Sequence, residues 1–141
     1  MQNAKIQDLT PNLPMASKFE KDHIFEKLLE FCRGEKNIVA LYMFGSAATG
    51  RENRNSDLDL AVMVREDINE ERRIAWETSL SNLLRSDVDL VIVNRSLPFL
   101  QHQILKYGRL IYEGDSSERV RQEVLSRTEY LDGKELFKEI R

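Results

Sequence analysis

MFGSAATGRENRNSDLDLAV, residues 43–62, is the stretch on which the reading of this chain turns. Apolar residues lead into Gly45-Ser46, a polar and turn-like segment (ATGRENRNS) follows, and Asp57 and Asp59 then open a second apolar run, DLDLAVMV. Side chains in a strand alternate between faces, so Asp57 and Asp59 project to one side while Leu58 and Leu60 project to the other. Two carboxylates on one sheet face repel, and one of them would normally take up a proton. A divalent cation removes that conflict. Hard oxygen ligands suit magnesium or manganese, with waters and substrate phosphates completing the shell. The bland alternative is that Asp57 caps the strand and Asp59 faces water. Gly45-Ser46 weighs against it. A glycine allows close backbone approach to a phosphate, the serine hydroxyl adds a donor, and the residues after the pair can open a helix whose free amides point at an anion.

Outward from this stretch, strands and helices alternate. NIVALYMF, just before Gly45, is rich in β-branched and aromatic residues and reads as a buried strand. DVDLVIV reads as a third strand of the same kind as the second. Ser17-Lys18-Phe19-Glu20 reads as a capping box for a helix that carries Leu28, Leu29 and Cys32 on one side and stops at Gly34. A second helix, from about Asn69 to Arg85, presents Ile74, Trp76, Leu80, Leu83 and Leu84 to a core. Ser96 is expected to cap a third helix with Pro98 near its start and Gly108 after it. RLIYE reads as a short edge strand. The polar C-terminal helix is expected to be interrupted or ended near Asp132-Gly133. The pattern predicts a mixed α/β (α+β) fold, a small mixed sheet flanked by helices.

At 141 residues the chain has the size of one domain, read as residues 17–141 behind a loose tail of residues 1–16. It carries 41% hydrophobic and 32% charged residues, and no apolar run approaches the roughly 20 residues of a membrane span. One cysteine, Cys32, excludes an internal disulfide. With no secretory signal in MQNAKIQDLTPNLP, the expected compartment is the cytoplasm. The net charge of −3 is spread along the chain without a basic stripe, so stable nucleic-acid binding is not expected.

GSAATGRENRNSDLDL resembles the G-S-x10-D-x-D signature of nucleotidyltransferases of the DNA polymerase β superfamily, and the chain's size resembles that of the minimal nucleotidyltransferases (MNT). The resemblance implies a polymerase β-like fold. It implies that Gly45 and Ser46 hold the β- and γ-phosphates of a nucleotide triphosphate, and that Asp57 and Asp59 are the first two ligands of two magnesium ions. The resemblance implies a third ligand on the next strand, where SDVDLVIV offers Asp87 or Asp89, and Asp89 is the choice because it directly precedes the apolar run as the family's residue does. One departure is visible. Where many relatives carry an arginine before the second glycine of this loop, this chain has Thr49, and the neighbouring Arg51 is the available substitute.

The same resemblance, to the antitoxins of HEPN–MNT pairs, implies transfer of AMP from ATP to a tyrosine of a HEPN-type ribonuclease toxin. Two alternatives stand beside it: a small-molecule transferase of the aminoglycoside-modifying kind, and an antidote that neutralises its partner by binding alone. The remaining residues read as ordinary. Arg51 and Arg54 are loop cations, His23 and His102 lie in helices without a visible partner, and Cys32, Tyr42 and Trp76 are packing residues.

Overall fold

The structure, a computed structural model, describes residues 18–45 and 58–140. Three apolar runs set its frame as β1 (Ile38–Phe44), β2 (Leu58–Val64) and β3 (Val88–Ile92). A fourth strand, β4 (Arg109–Glu113), is the short edge strand expected from RLIYE, and the sheet order is β3-β2-β1-β4. β1 runs antiparallel to both β2 and β4, whereas β2 and β3 are parallel. A parallel pair needs a crossover, and helix α2 (Glu70–Leu84) supplies it. Helix α1 (Lys18–Arg33) precedes β1; α3 (Pro98–Tyr107) and α4 (Ser116–Ile140) lie on either side of β4 in the chain. The mixed sheet with flanking helices is therefore as expected. The predicted tail of residues 1–16 and the capping residue Ser17 lie outside the described residues.

Both faces of the sheet are covered, which is why its strands read as continuous apolar runs. On one face Leu41, Met43, Leu60, Val62 and Leu90 pack with Leu28 and Cys32 of α1 and with Trp76 and Leu80 of α2. On the other, Val39, Tyr42, Ala61 and Met63 pack with Val93 and with Ile104 of α3. The side chain of Asn69 caps α2 by accepting from the Arg72 amide at 2.8 Å. Trp76 packs as expected, edge-on to Phe31 at 6.2 Å.

Three expectations need correction. Ile74 and Leu83 do not face the core; they are 48% and 37% exposed. The buried stripe of α2 is the single i, i+4 row Trp76, Leu80, Leu84, and the other two residues fall off it. Ser96 does not cap α3. Its hydroxyl donates to the Ile92 carbonyl at 3.0 Å, and Leu97 is the N-cap, with Pro98 supplying the preset φ of the first turn. Finally, α4 continues through Gly133. Nothing lies within 4 Å of where its Cβ would be, and an exposed helical glycine costs only about 1 kcal/mol against alanine, too little to end the helix alone.

Two sets of side chains tie the helices to the sheet. Arg73, Glu77 and Ser81, one row of α2, reach the open edge of β3. Arg73 Nη1 donates to the Leu90 carbonyl at 2.9 Å, Glu77 Oε2 accepts from the Leu90 amide at 2.8 Å, and Ser81 Oγ accepts from the Val88 amide at 3.1 Å. On the opposite face, Arg119 of α4 donates to Glu113 of β4 and to its own helix's Glu123, both at 2.5 Å. The buried Tyr42 hydroxyl donates to Glu123 Oε2 at 2.8 Å. Burial, then the adjacent Glu123 carboxylate, pushes that hydroxyl far above the ordinary tyrosine range. Tyr42 is thus more than the packing residue expected. Its ring fills the core and its hydroxyl anchors α4.

Truncation separates the two kinds of α2 position. Leu80→Ala is expected to lower unfolding stability by about 2–5 kcal/mol in urea titrations, whereas Ile74→Gln, off the buried row, changes it by no more than about 0.5 kcal/mol.

Candidate active site

The regular geometry of a parallel pair does the first part of the assembly. With Leu58, Leu60 and Val62 of β2 and Val88, Leu90 and Ile92 of β3 buried on the α1/α2 face, the intervening residues must point to the other side. Asp59 and Asp89 are two of these, and they are direct register partners. Neighbouring strands lie about 4.8 Å apart, so two carboxylates on adjacent strands stand side by side. Asp59 is half-buried and Asp89 exposed. Asp87 lies just outside β3, and its backbone carbonyl accepts from the Leu58 amide at 2.9 Å.

β1 supplies the other wall. Phe44 stands opposite Asp59 across the antiparallel pair, and Gly45 follows it with φ of +74°. A Cβ at position 45 would collide with Asp59 Oδ2 and come within 3.1 Å of its Cγ. Glycine is required here twice over. It tolerates the left-handed backbone, and its missing side chain leaves the space that the carboxylate occupies. The first residue of the Gly45-Ser46 pair thus lies directly against the aspartate read from the D-x-D pattern. Ser46, Asp57, Thr49, Arg51 and Arg54 lie outside the described residues.

The donor set bears on the metal question. Asp59 and Asp89 offer hard carboxylate oxygens on one face, without sulfur or imidazole between them in register, and that chemistry fits magnesium. Cys32 takes no part. It is buried among apolar residues on the opposite face, and burial pushes its thiol well above the ordinary range, which suits a packing residue and not a nucleophile.

Sequence reasoning missed two features of this face. Phe44, the cross-strand partner of Asp59, also packs into the cluster with Leu105 of α3. His102, for which the sequence shows no partner, stacks on Tyr130 of α4 at 3.9 Å with the rings 4° from parallel. Nothing in the local sequence around either residue marks it; the helices have to be docked first. Among the described residues no helix is long and apolar enough to cross a membrane.

Residues 26–117 match the family described as Polymerase beta, Nucleotidyltransferase. The protein adenylyltransferase MntA of Shewanella oneidensis is 33% identical over 72 residues, covering 51% of this chain and 52% of that protein, so the chain matches about half the length of this curated relative. Among solved structures, a toxin–antitoxin with AMP-PNP superposes at a TM-score of 0.73 and 26% identity, over 82% of this chain and 94% of that one. A complex of tri-AMPylated Shewanella oneidensis HEPN toxin with MNT antitoxin superposes at 0.69 and 21% identity, over 86% and 94% of the two chains, a likeness of fold.

The contact between Gly45 and Asp59 is testable as a coupled pair. Gly45→Ala is expected to destabilise the protein by about 1–2 kcal/mol from the left-handed backbone alone, and by more from the clash. Adding Asp59→Ala should recover the clash portion. Equilibrium unfolding of the two single variants and the double variant reads this non-additivity directly; strictly additive effects would show that the side chain does not press on Gly45.

Proposed function

The chain belongs to the polymerase β nucleotidyltransferase family, and from that premise we propose that it is a magnesium-dependent protein adenylyltransferase. It transfers AMP from ATP to a tyrosine hydroxyl of a HEPN-type ribonuclease toxin and so acts as that toxin's antitoxin. The observation that carries the reading is the register pair Asp59–Asp89 on one sheet face, with Gly45 against it. Similarity to the adenylyltransferase MntA and to a toxin–antitoxin with AMP-PNP supports the choice of donor and partner. Residues 17–141 act as one nucleotidyltransferase domain, in the cytoplasm, where ATP is supplied, and without stable binding to nucleic acid.

Each residue then has a task. Gly45 and Ser46 hold the β- and γ-phosphates of ATP by close backbone approach and a hydroxyl donor. Asp57, Asp59 and Asp89 hold two magnesium ions, and the pairing of Asp89 with Asp59 favours it over Asp87 as the third ligand. Bound magnesium supplies neutralisation of triphosphate charge and a lowered pKa for the acceptor hydroxyl. The acceptor oxygen forms a bond to the α-phosphorus while the bond from that phosphorus to the bridging oxygen breaks, releasing pyrophosphate. Asp89, exposed on the same face as Asp59, takes the hydroxyl proton in this reading.

The test is label transfer from α-labelled ATP with magnesium in an extract of the source cells. The unaltered protein should label one protein band, identifiable by mass, and Asp59→Asn and Asp89→Asn should reduce the label by roughly a hundredfold or more. Label in RNA or in a small molecule would overturn the protein-acceptor reading. Undiminished neutralisation of the partner by both Asn variants would show that binding, and not transfer, is the mechanism.

A further inference from the structure

Between the C-terminal half of α3 and the middle of α4 lies a cleft of about 580 Å³, a volume within the usual range for ligand sites. It belongs to the catalytic face. Leu105, in its wall, packs in the cluster that contains Phe44, and Phe44 stands opposite Asp59. α3 ends at Tyr107, and two residues later Arg109 pairs with Met43, close to Gly45.

The charge balance of the cleft is uneven. Glu123 in its wall is already neutralised by Arg119 and accepts from Tyr42. Lys106 and Arg127, also in the wall, have no carboxylate partner among the described residues. At the mouth, Tyr107 and Leu131 are 59% and 51% exposed, and the Lys106 ammonium lies 5.4 Å from the centre of the Tyr107 ring, a contact that leaves its charge without a counter-ion. His102 and Tyr130 are stacked on each other, so their facing surfaces are closed to an intercalating base.

We infer that this cleft is the docking site for the acceptor protein, and that it takes a segment carrying carboxylates beside an aromatic or aliphatic residue. The inference rests on the proposed protein adenylyltransferase reading and gives its substrate a chemistry: acidic groups meet Lys106 and Arg127, and an apolar side chain covers Tyr107 and Leu131. Docking here brings a tyrosine on the same segment to the face that carries Asp59 and Asp89.

The defined probe is a random glutamate–tyrosine copolymer, with a lysine–tyrosine copolymer as its control, titrated by fluorescence anisotropy against the full chain without ATP. The glutamate–tyrosine copolymer should bind, the lysine–tyrosine copolymer should not, and binding should weaken as salt rises. Lys106→Glu/Arg127→Glu is expected to bind at least about tenfold more weakly. The milder Lys106→Gln/Arg127→Gln, with an unchanged thermal melt, should fall between and guards against a folding defect. Asp59→Asn should bind as the unaltered chain does. Copolymer binding that the charge variants leave unchanged, or no binding at all, would overturn the docking site. Displacement of the copolymer by AMP-PNP, with a parallel loss of AMP-PNP affinity in the charge variants, would assign the cleft to the nucleotide and overturn it equally. Copolymer binding alongside a failed label-transfer experiment would leave the docking site standing and refute the chemistry instead.

Discussion

The register of β2 against β3 is the constraint on which the site depends, because strand side chains alternate with a period of two. Sliding β3 by one residue would send Asp89 towards the α1/α2 core and bring Leu90 to the face that carries Asp59. That slip would bury a carboxylate among Trp76, Leu80 and Leu84 and expose an apolar row, so the hydrophobic packing of one face fixes the alignment of the carboxylates on the other. The placement of Asp59 beside Asp89 is in this sense a by-product of core packing on the far side of the sheet. The Arg73, Glu77 and Ser81 row adds a second lock, since its hydrogen bonds to Val88 and Leu90 are made only in the observed register.

The same row solves a problem common to open sheets. β3 is an edge strand of apolar sequence, and outward-facing amides and carbonyls on such an edge invite pairing with another chain. Here α2 satisfies three of them with its own side chains. The opposite face uses a different device. Arg119 joins Glu113, Glu123 and, through Glu123, the buried Tyr42 hydroxyl, so that α4 is fastened to β1 and β4 by charge-assisted bonds. Glu113 is almost fully buried, and removing Arg119 would strand it without its main counter-charge.

Much of this was legible in the sequence because the signals are local. Apolar runs of five to seven residues, the alternation of Asp59 with Leu58 and Leu60, and the asparagine before α2 each declare a strand or a helix start without reference to the rest of the chain. Ser46 and Asp57 rest on the sequence pattern alone. What could not be read depends on docking. The bond from Tyr42 to Glu123 joins residues 81 positions apart, and no periodicity predicts which hydroxyl meets which carboxylate at that separation. Ser96 carries a good capping side chain, but the 3-10 turn at Val93–Arg95 brings the Ile92 carbonyl within its reach and wins it. Gly133 has a helix-breaking composition, and its neighbours outvote it.

The position of β4 in the sheet has a further consequence, for how the chain is made. β1 lies between β2 and β4, so one of its two edges stays unpaired until residues 109–113 have been synthesised and have left the ribosome. Until then IVALYMF, a run without a charge or a proline, presents an open apolar edge of the kind that recruits other strands. Synthesis at 5–20 residues per second makes that interval one of seconds. A nascent chain arrested between residues 64 and 109 would have its β1–β2 hairpin and no strand to close it. Such a fragment exposes the edge that chaperones and aggregation act on, a liability that the finished fold, with β4 in place, does not carry.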